Sequence, residues 1–270
     1  MAQSSPFPQI DARRIRSYLL RLPLCTRCLA VVIIGFFIAE LSIPWFSQWA
    51  SLIPDKVALT SMHRLNTYPF LHLGFVHFFL NIITIVPLLE RFEAEFGTLI
   101  TFALFTGPFC TLPGGLYVLI EKFIFHSNIG VQGASIWIFL LMASEAIKTW
   151  KANPNFEIGG VKIPTWTYPC FVCLVISALI PATSFTGHAC GLGIGYLWGL
   201  GYIKFLVPSE RILRWVEGKL NLLGRLPHYV SVDQKTYGRY GVLPSTSGSR
   251  TSTLGNGMQM RPMGGQRLGP

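Results

Sequence analysis

Four stretches of this chain, residues 65–89, 98–120, 123–144 and 163–203, contain no Asp, Glu, Lys or Arg. A bilayer core about 30 Å thick takes roughly 20 apolar residues of helix to cross, so each stretch holds one span and the last holds two. Soluble domains carry about 25% charged residues. This chain of 270 carries 13%, is 51% hydrophobic and has a mean hydropathy of +0.46. A further apolar run from Cys25 to Phe46, weakened by Arg27, Glu40 and Pro44, reads as a first helix. It is too long for a signal-peptide core and lacks a small-residue cleavage site, so it is expected to be retained. The later spans fall near 71–89, 98–120, 134–150, 165–183 and 187–207. The expected fold is an all-α polytopic membrane protein of six transmembrane helices over 25–207.

The formal charge of +10 raises the question of nucleic acid. The basic residues answer it by their placement, because they gather at the two ends without the aromatic interleaving of a nucleic-acid surface. With the N-terminus in the cytoplasm, 19 Lys/Arg fall on the cytoplasmic side and 3 on the other. Cytoplasmic loops are the basic ones, so both termini are expected in the cytoplasm.

Residues 1–24 form a basic N-terminal segment. Within 208–226, Leu213, Val216, Leu220 and Leu223 repeat as one helical face with Arg211, Arg214 and Lys219 off it, the pattern of a helix lying on an anionic leaflet. Residues 227–270, rich in Gly, Ser, Thr and Pro, are expected to be a disordered cytoplasmic tail. The six cysteines lie inside or beside apolar segments and do not suggest a disulfide framework. The Cys25/Cys28 and Cys170/Cys173 spacings lack accompanying histidines. They read as small membrane-embedded residues, with juxtamembrane acylation at Cys25 or Cys28 as the lesser alternative.

Under this topology spans two, four and six begin on the same side, and each carries unusual polar residues near its start. Span two has His72, His77 and Asn81, span four opens with Gly133, Ala134 and Ser135, and span six opens with Gly187 and His188. Such groups are costly in a membrane and face a cavity or one another, so one wet site is expected. A Ser hydroxyl needs a base to become a nucleophile, and histidine titrates in the right range. Ser135 and His188 are the natural pair. His77 and Asn81, four apart on one helical face, and the Ser135 N–H are candidate oxyanion donors. Gly191, Gly195 and Gly199 form a stripe along which helices pack closely.

At these residues the chain resembles the rhomboid family of intramembrane serine proteases, over roughly 25–207. The family's His-x4-His-x3-Asn pattern is met by His72, His77 and Asn81, its Gly-x-Ser by Gly133 and Ser135, and its small-His-x-x-Gly-x-x-x-Gly run by Gly187, His188, Gly191 and Gly195. Arg64 stands where the family has a first-loop Trp-Arg pair, with His63 in place of the Trp. Glu93 matches an acidic residue that braces the turn after the second helix. Ile136 follows Ser135 where the family usually has Gly, a branched side chain expected to narrow the oxyanion region.

The layout looks most like the fungal Golgi rhomboids, which implies a site facing the lumen. The resemblance implies a Ser–His dyad acting on single-pass transmembrane substrates that arrive from the bilayer, with neither metal nor cofactor. Gly264, Gly265 and Leu268 resemble part of a short Gly-x-x-Leu peptide that recruits an AAA ATPase; low complexity alone is the competing reading. The alternatives are a catalytically silent rhomboid-like protein that binds membrane clients, and a small-solute transporter. The latter calls for paired broken helices or repeats that the sequence lacks.

Overall fold

The structure, a computed structural model, describes residues 11–180, 183–220 and 225–235. A short amphipathic helix α1 (Ala12–Leu19) leads into the first long apolar helix, α2 (Leu24–Ser42). A long loop containing α3 (Phe46–Ala50) and α4 (Arg64–Thr67) precedes α5 (Phe75–Phe96). The third span is broken into α6 (Thr98–Phe105) and α7 (Pro108–Phe123), followed by α8 (Ser135–Ala152), α9 (Tyr168–Leu179) and α10 (Phe185–Leu200). After α10 the chain bends by 85° into a segment that includes α11 (Glu210–Lys219). Among the described residues α2, α5 and the α6–α7 pair are each long and apolar enough to cross a membrane unaided. The helix α8 carries Glu145, Lys148 and Lys151 near its end, yet 11 of its 18 residues are buried. It is the central post of the bundle, so neighbouring helices rather than lipid set its composition.

The expected all-α polytopic architecture is present, with several boundary corrections. The second span begins at Phe75, which leaves His72 in the loop that approaches it. The third is interrupted at Gly107, and Pro113 inside α7 removes the N–H that would have bonded the Phe109 carbonyl. That carbonyl instead accepts from Trp137 Nε1 on α8 at 3.1 Å, the internal repair an apolar medium demands. The connection after α8 holds a small hairpin, β1 (Asn155–Ile158) against β2 (Val161–Pro164), turned by Gly159 and Gly160 at positive φ. The helix expected within 208–226 spans Glu210–Lys219; Leu213 packs into the main core, while Ile212 and Trp215 are exposed. Residues 1–10, Leu223 of the expected apolar face, and residues 236–270 with the tail positions Gly264, Gly265 and Leu268 lie outside the described residues.

The end of the bundle remote from Ser135 is fastened by one carboxylate. The residue before α2 is Pro23, which offers no side-chain cap. Glu93, fully buried near the end of α5, takes over: its oxygens accept from the Cys25 N–H (2.8 Å), the Thr26 N–H (2.6 Å) and the Thr26 hydroxyl (2.7 Å). A negative charge at a helix N-terminus also suits the helix dipole. Thr98 Oγ1 donates to Glu93 at 2.7 Å and accepts from the Val230 N–H at 2.9 Å, while the Leu24 N–H reaches the His228 carbonyl at 2.9 Å. Residues 225–235 thus strap α2, the α5–α6 turn and α11 together, so 227–235, expected to begin a disordered tail, are held by Tyr229 and Val232 to Glu217 instead. Helix α1 is pinned at this end by Tyr18, whose hydroxyl donates to Glu90 at 2.7 Å. Burial and then that hydrogen bond push the phenol up to about 12, so it stays a donor at neutral pH.

Glu93→Ala leaves the first turn of α2 unsatisfied inside the bundle. Breaking charge-assisted hydrogen bonds to buried donors costs about 3 kcal/mol, and Glu93→Gln, which keeps one acceptor, is expected to cost less than half of that. Thermal unfolding of both variants in detergent micelles checks the order.

Candidate active site

Ser135 is the first residue of α8, and His188 lies in the first turn of α10, whose start is capped by the Ser184 hydroxyl accepting from the Gly187 N–H at 3.1 Å. The two side chains meet: His188 Nε2 is 3.1 Å from Ser135 Oγ. The imidazole is buried and lies against the Phe139 ring, with centroids 4.4 Å apart. Its other nitrogen, Nδ1, is 3.4 Å from Ser177 Oγ on α9. With Nδ1–H donating to Ser177, Nε2 is left free to accept from the Ser135 hydroxyl, the tautomer a general base requires.

His77 occupies the first turn of α5. Its Nδ1 accepts from the Leu73 N–H at 3.3 Å, which places the ring proton on Nε2, and that atom is buried with no partner among the described residues. The same ring edge lies over Gly133. A Cβ there would sit 2.6 Å from His77 Cε1, and the Gly133 φ of +127° also excludes an ordinary side chain. Gly133 therefore lets His77 approach the serine. Asn81, one turn further along α5, donates from Nδ2 to the His77 carbonyl at 2.7 Å, leaving Oδ1 buried and unpaired. His72 is 1% exposed, in the loop, with Nδ1 3.2 Å from the Phe70 carbonyl and its ring centroid 5.3 Å from that of His77. It backs His77 and does not reach the serine side of that ring.

Two cavities open onto this cluster. One, of about 460 Å³, is of mixed polarity, the more polar of the two, and is lined by loop residues including Asn128, Gln132, Thr183 and Ser184. The other, of about 270 Å³, is mostly apolar and runs between α5, α8 and α9 past Leu80, Ile138, Met142 and Ile176. Ser135, His188 and His77 line both. A nucleophile that meets water from one side and an apolar slot from the other fits hydrolysis of a bond brought in by a membrane segment.

Residues 59–205 match the rhomboid domain family. The chain is also 58% identical over 270 residues to a rhomboid-type serine protease B of Aspergillus fumigatus, covering 98% of this chain and 97% of that protein. The chain belongs to the rhomboid family. It is likewise similar to a rhomboid-type serine protease 2 of Podospora anserina, at 50% identity over 97% of this chain and 98% of the relative. A protein of the same name from Neurospora crassa is 52% identical over 96% of this chain and 95% of its own length.

In this rhomboid the close approach of α8 and α10 is made by glycine. A Cβ on Gly191 or Gly195 would run into the Ile136 or Leu140 carbonyl, and one on Gly199 would come 2.9 Å from Ile147 Cβ. Ile136 is almost fully buried, and its side chain packs against Gly191, so its bulk is taken up by the helix seam. Arg64 holds the first loop by donating from Nη1 to the Gln48 and Ser51 carbonyls, both at 2.7 Å. His63, standing where the family has Trp, stacks on Trp49 with centroids 4.3 Å apart.

Two positioning residues carry no signal in the sequence. Ser177 is an ordinary hydroxyl in an apolar span until its distance to His188 is known. Glu40, which merely weakened the first span, accepts from the His72 N–H at 3.0 Å and the Gln132 amide at 3.4 Å. It ties the segments that lead into His77 and Ser135 to the end of α2.

Gly193, where an added Cβ would meet nothing within 4 Å, is expected to accept Ala, whereas Gly195→Ala overpacks the seam. Overpacking costs about 1–3 kcal/mol and forces backbone shifts. Fluorophosphonate labelling of Ser135, which reads the register of the dyad, should therefore survive Gly193→Ala and fall steeply in Gly195→Ala.

Proposed function

We propose that Ser135 and His188 are the dyad of this intramembrane serine protease, acting on single-pass membrane proteins within or near their transmembrane segments. The observation that carries the reading is the 3.1 Å approach of His188 Nε2 to Ser135 Oγ at the junction of a polar and an apolar cavity. The substrate helix enters sideways through the apolar slot between α5 and α9. His188 takes the Ser135 proton as Oγ attacks the peptide carbonyl, then returns it to the leaving amine. Water from the polar cavity releases the acyl-enzyme by the same base. His77 Nε2–H and the Ser135 N–H at the start of α8 stabilise the oxyanion, joined by the second N–H of the Asn81 amide. Ser177 holds the His188 tautomer in place of a carboxylate.

Both termini are assigned to the cytoplasm and the dyad to the lumen of a Golgi or other secretory-pathway membrane. Support comes from the 19-to-3 division of basic residues and from the strap, α1 and the C-terminal ends of α5 and α8 sharing the end remote from Ser135. Helix α11 lies on the bilayer surface with Ile212 and Trp215 toward lipid and Arg211 beside them. The Gly264, Gly265 and Leu268 pattern supports recruitment of an AAA ATPase by the tail, which co-purification with and without residues 264–270 tests.

Cleavage of single-pass reporters by the purified protein is expected to fall about 10⁴-fold or more in Ser135→Ala and His188→Ala, the loss that follows removal of a nucleophile or its base. Undiminished cleavage by Ser135→Ala would overturn the assignment. His77→Ala is expected to lose about 10²–10³-fold in kcat, as for one oxyanion donor.

A further inference from the structure

The polar cavity beside the dyad contains a charge that the mechanism does not use. Glu121, in the last turn of α7, lines this cavity together with Asn128, Gln132, Ser135 and Ser184. It is only 5% exposed, and its carboxylate makes no hydrogen bond or ion pair with any described residue. Its neighbour Lys122 does not neutralise it, being turned to Asp55 at 3.5 Å. The lining contains no Lys or Arg. A carboxylate that deep is normally paired. Here the chain offers it only the cavity, which Ser135 also lines.

We propose that Glu121 selects substrates carrying a basic residue on the aqueous flank of the scissile bond. The inference rests on the protease reading above and adds a specificity determinant to it. A substrate's membrane segment occupies the apolar slot along α5 and α9, so the residues on the other side of the cleaved bond pass into the polar cavity. A Lys or Arg there meets a carboxylate that lines the cavity and that no described residue pairs. A Glu or Asp meets like charge in the same confined space, where screening by water is weak. Residues Asn128, Gln132, Thr183 and Ser184 add neutral hydrogen-bonding groups around it and leave the sign of the preference to Glu121.

The test uses the full chain in proteoliposomes and single-pass reporters that differ only in having Arg, Gln or Glu at each of several positions on the aqueous flank. The wild type is expected to cleave the best Arg reporter with a kcat/KM about tenfold above its Glu counterpart, the ratio that one partly buried charge pair supports. Glu121→Gln should bring the ratio close to unity, and Glu121→Lys should invert it. A wild-type ratio close to unity at every position, or an undiminished ratio in Glu121→Gln, overturns the proposal. Fluorophosphonate labelling reports the dyad without any flank. A wild type that labels and cleaves with no charge preference therefore sinks this inference alone, while one that neither labels nor cleaves sinks the protease reading with it. Should Glu121→Gln fail to fold, the wild-type reporters still decide, since a preference set by charge must rank Arg above Gln and Gln above Glu at the same position.

Discussion

The seam between α8 and α10 is the contact on which the proposed chemistry depends. Hydrophobic association does not drive helices together in lipid, so close packing must come from surface shape. Gly191, Gly195 and Gly199 lie against the carbonyls of Ile136, Leu140 and Ser144, two rows of four-residue spacing set side by side. The register of those rows fixes the approach of His188 to Ser135. Ser135 precedes Ile136 by one residue and His188 precedes Gly191 by three, so the match that seats Gly191 on Ile136 also brings Nε2 to Oγ. A methyl group anywhere on the stripe would act on catalysis through geometry rather than through chemistry.

The other requirement of an apolar surrounding is that polar groups find internal partners, and two carboxylates meet it at opposite ends of α2. Glu93 replaces the cap that Pro23 lacks and links α2 through Thr98 to the strap at Val230. Glu40, near the other end, collects the His72 N–H and the Gln132 amide. The first span thus supports the site without contributing to it, holding both loops that deliver the reacting groups. His72 belongs to this scaffold. Its backbone is tied to Glu40, and its ring packs behind His77, whose Nε2–H faces Gly133 and the serine.

The spans were legible because the absence of charge over some 20 residues has few other physical causes. The pairing of Ser135 with His188 was legible because alternate spans that start on one side place their first turns at one depth. What depends on tertiary contact was not. Pro113 and Gly107 sit in an unbroken apolar run, and only the Trp137 bond to Phe109 shows how the break is tolerated. His72 falls within the expected span of 71–89, yet the helix begins after Gly74, where the chain turns. Ser177 and Glu40 carry no motif, since each acts on a partner 11 or 32 residues away. Ile136 looked obstructive in the sequence because its space is made by a glycine 55 positions later.

The two cavities resolve a difficulty inherent in hydrolysis inside a membrane. Water and an apolar helix must both reach one hydroxyl, and a single opening serving both would either flood the slot or dry the nucleophile. Here Ser135, His77 and His188 form the partition: the polar loops lie on one face and Leu80, Ile138 and Ile176 on the other. Two of the buried polar atoms without a partner among the described residues, His77 Nε2 and Asn81 Oδ1, lie at that partition. Leaving buried polar atoms without partners costs stability, and the seam and the Glu93 and Glu40 anchors are what hold these atoms in place until a peptide group supplies the missing bonds. On the proposed mechanism these atoms wait for the peptide group, and substrate binding is the step that satisfies them.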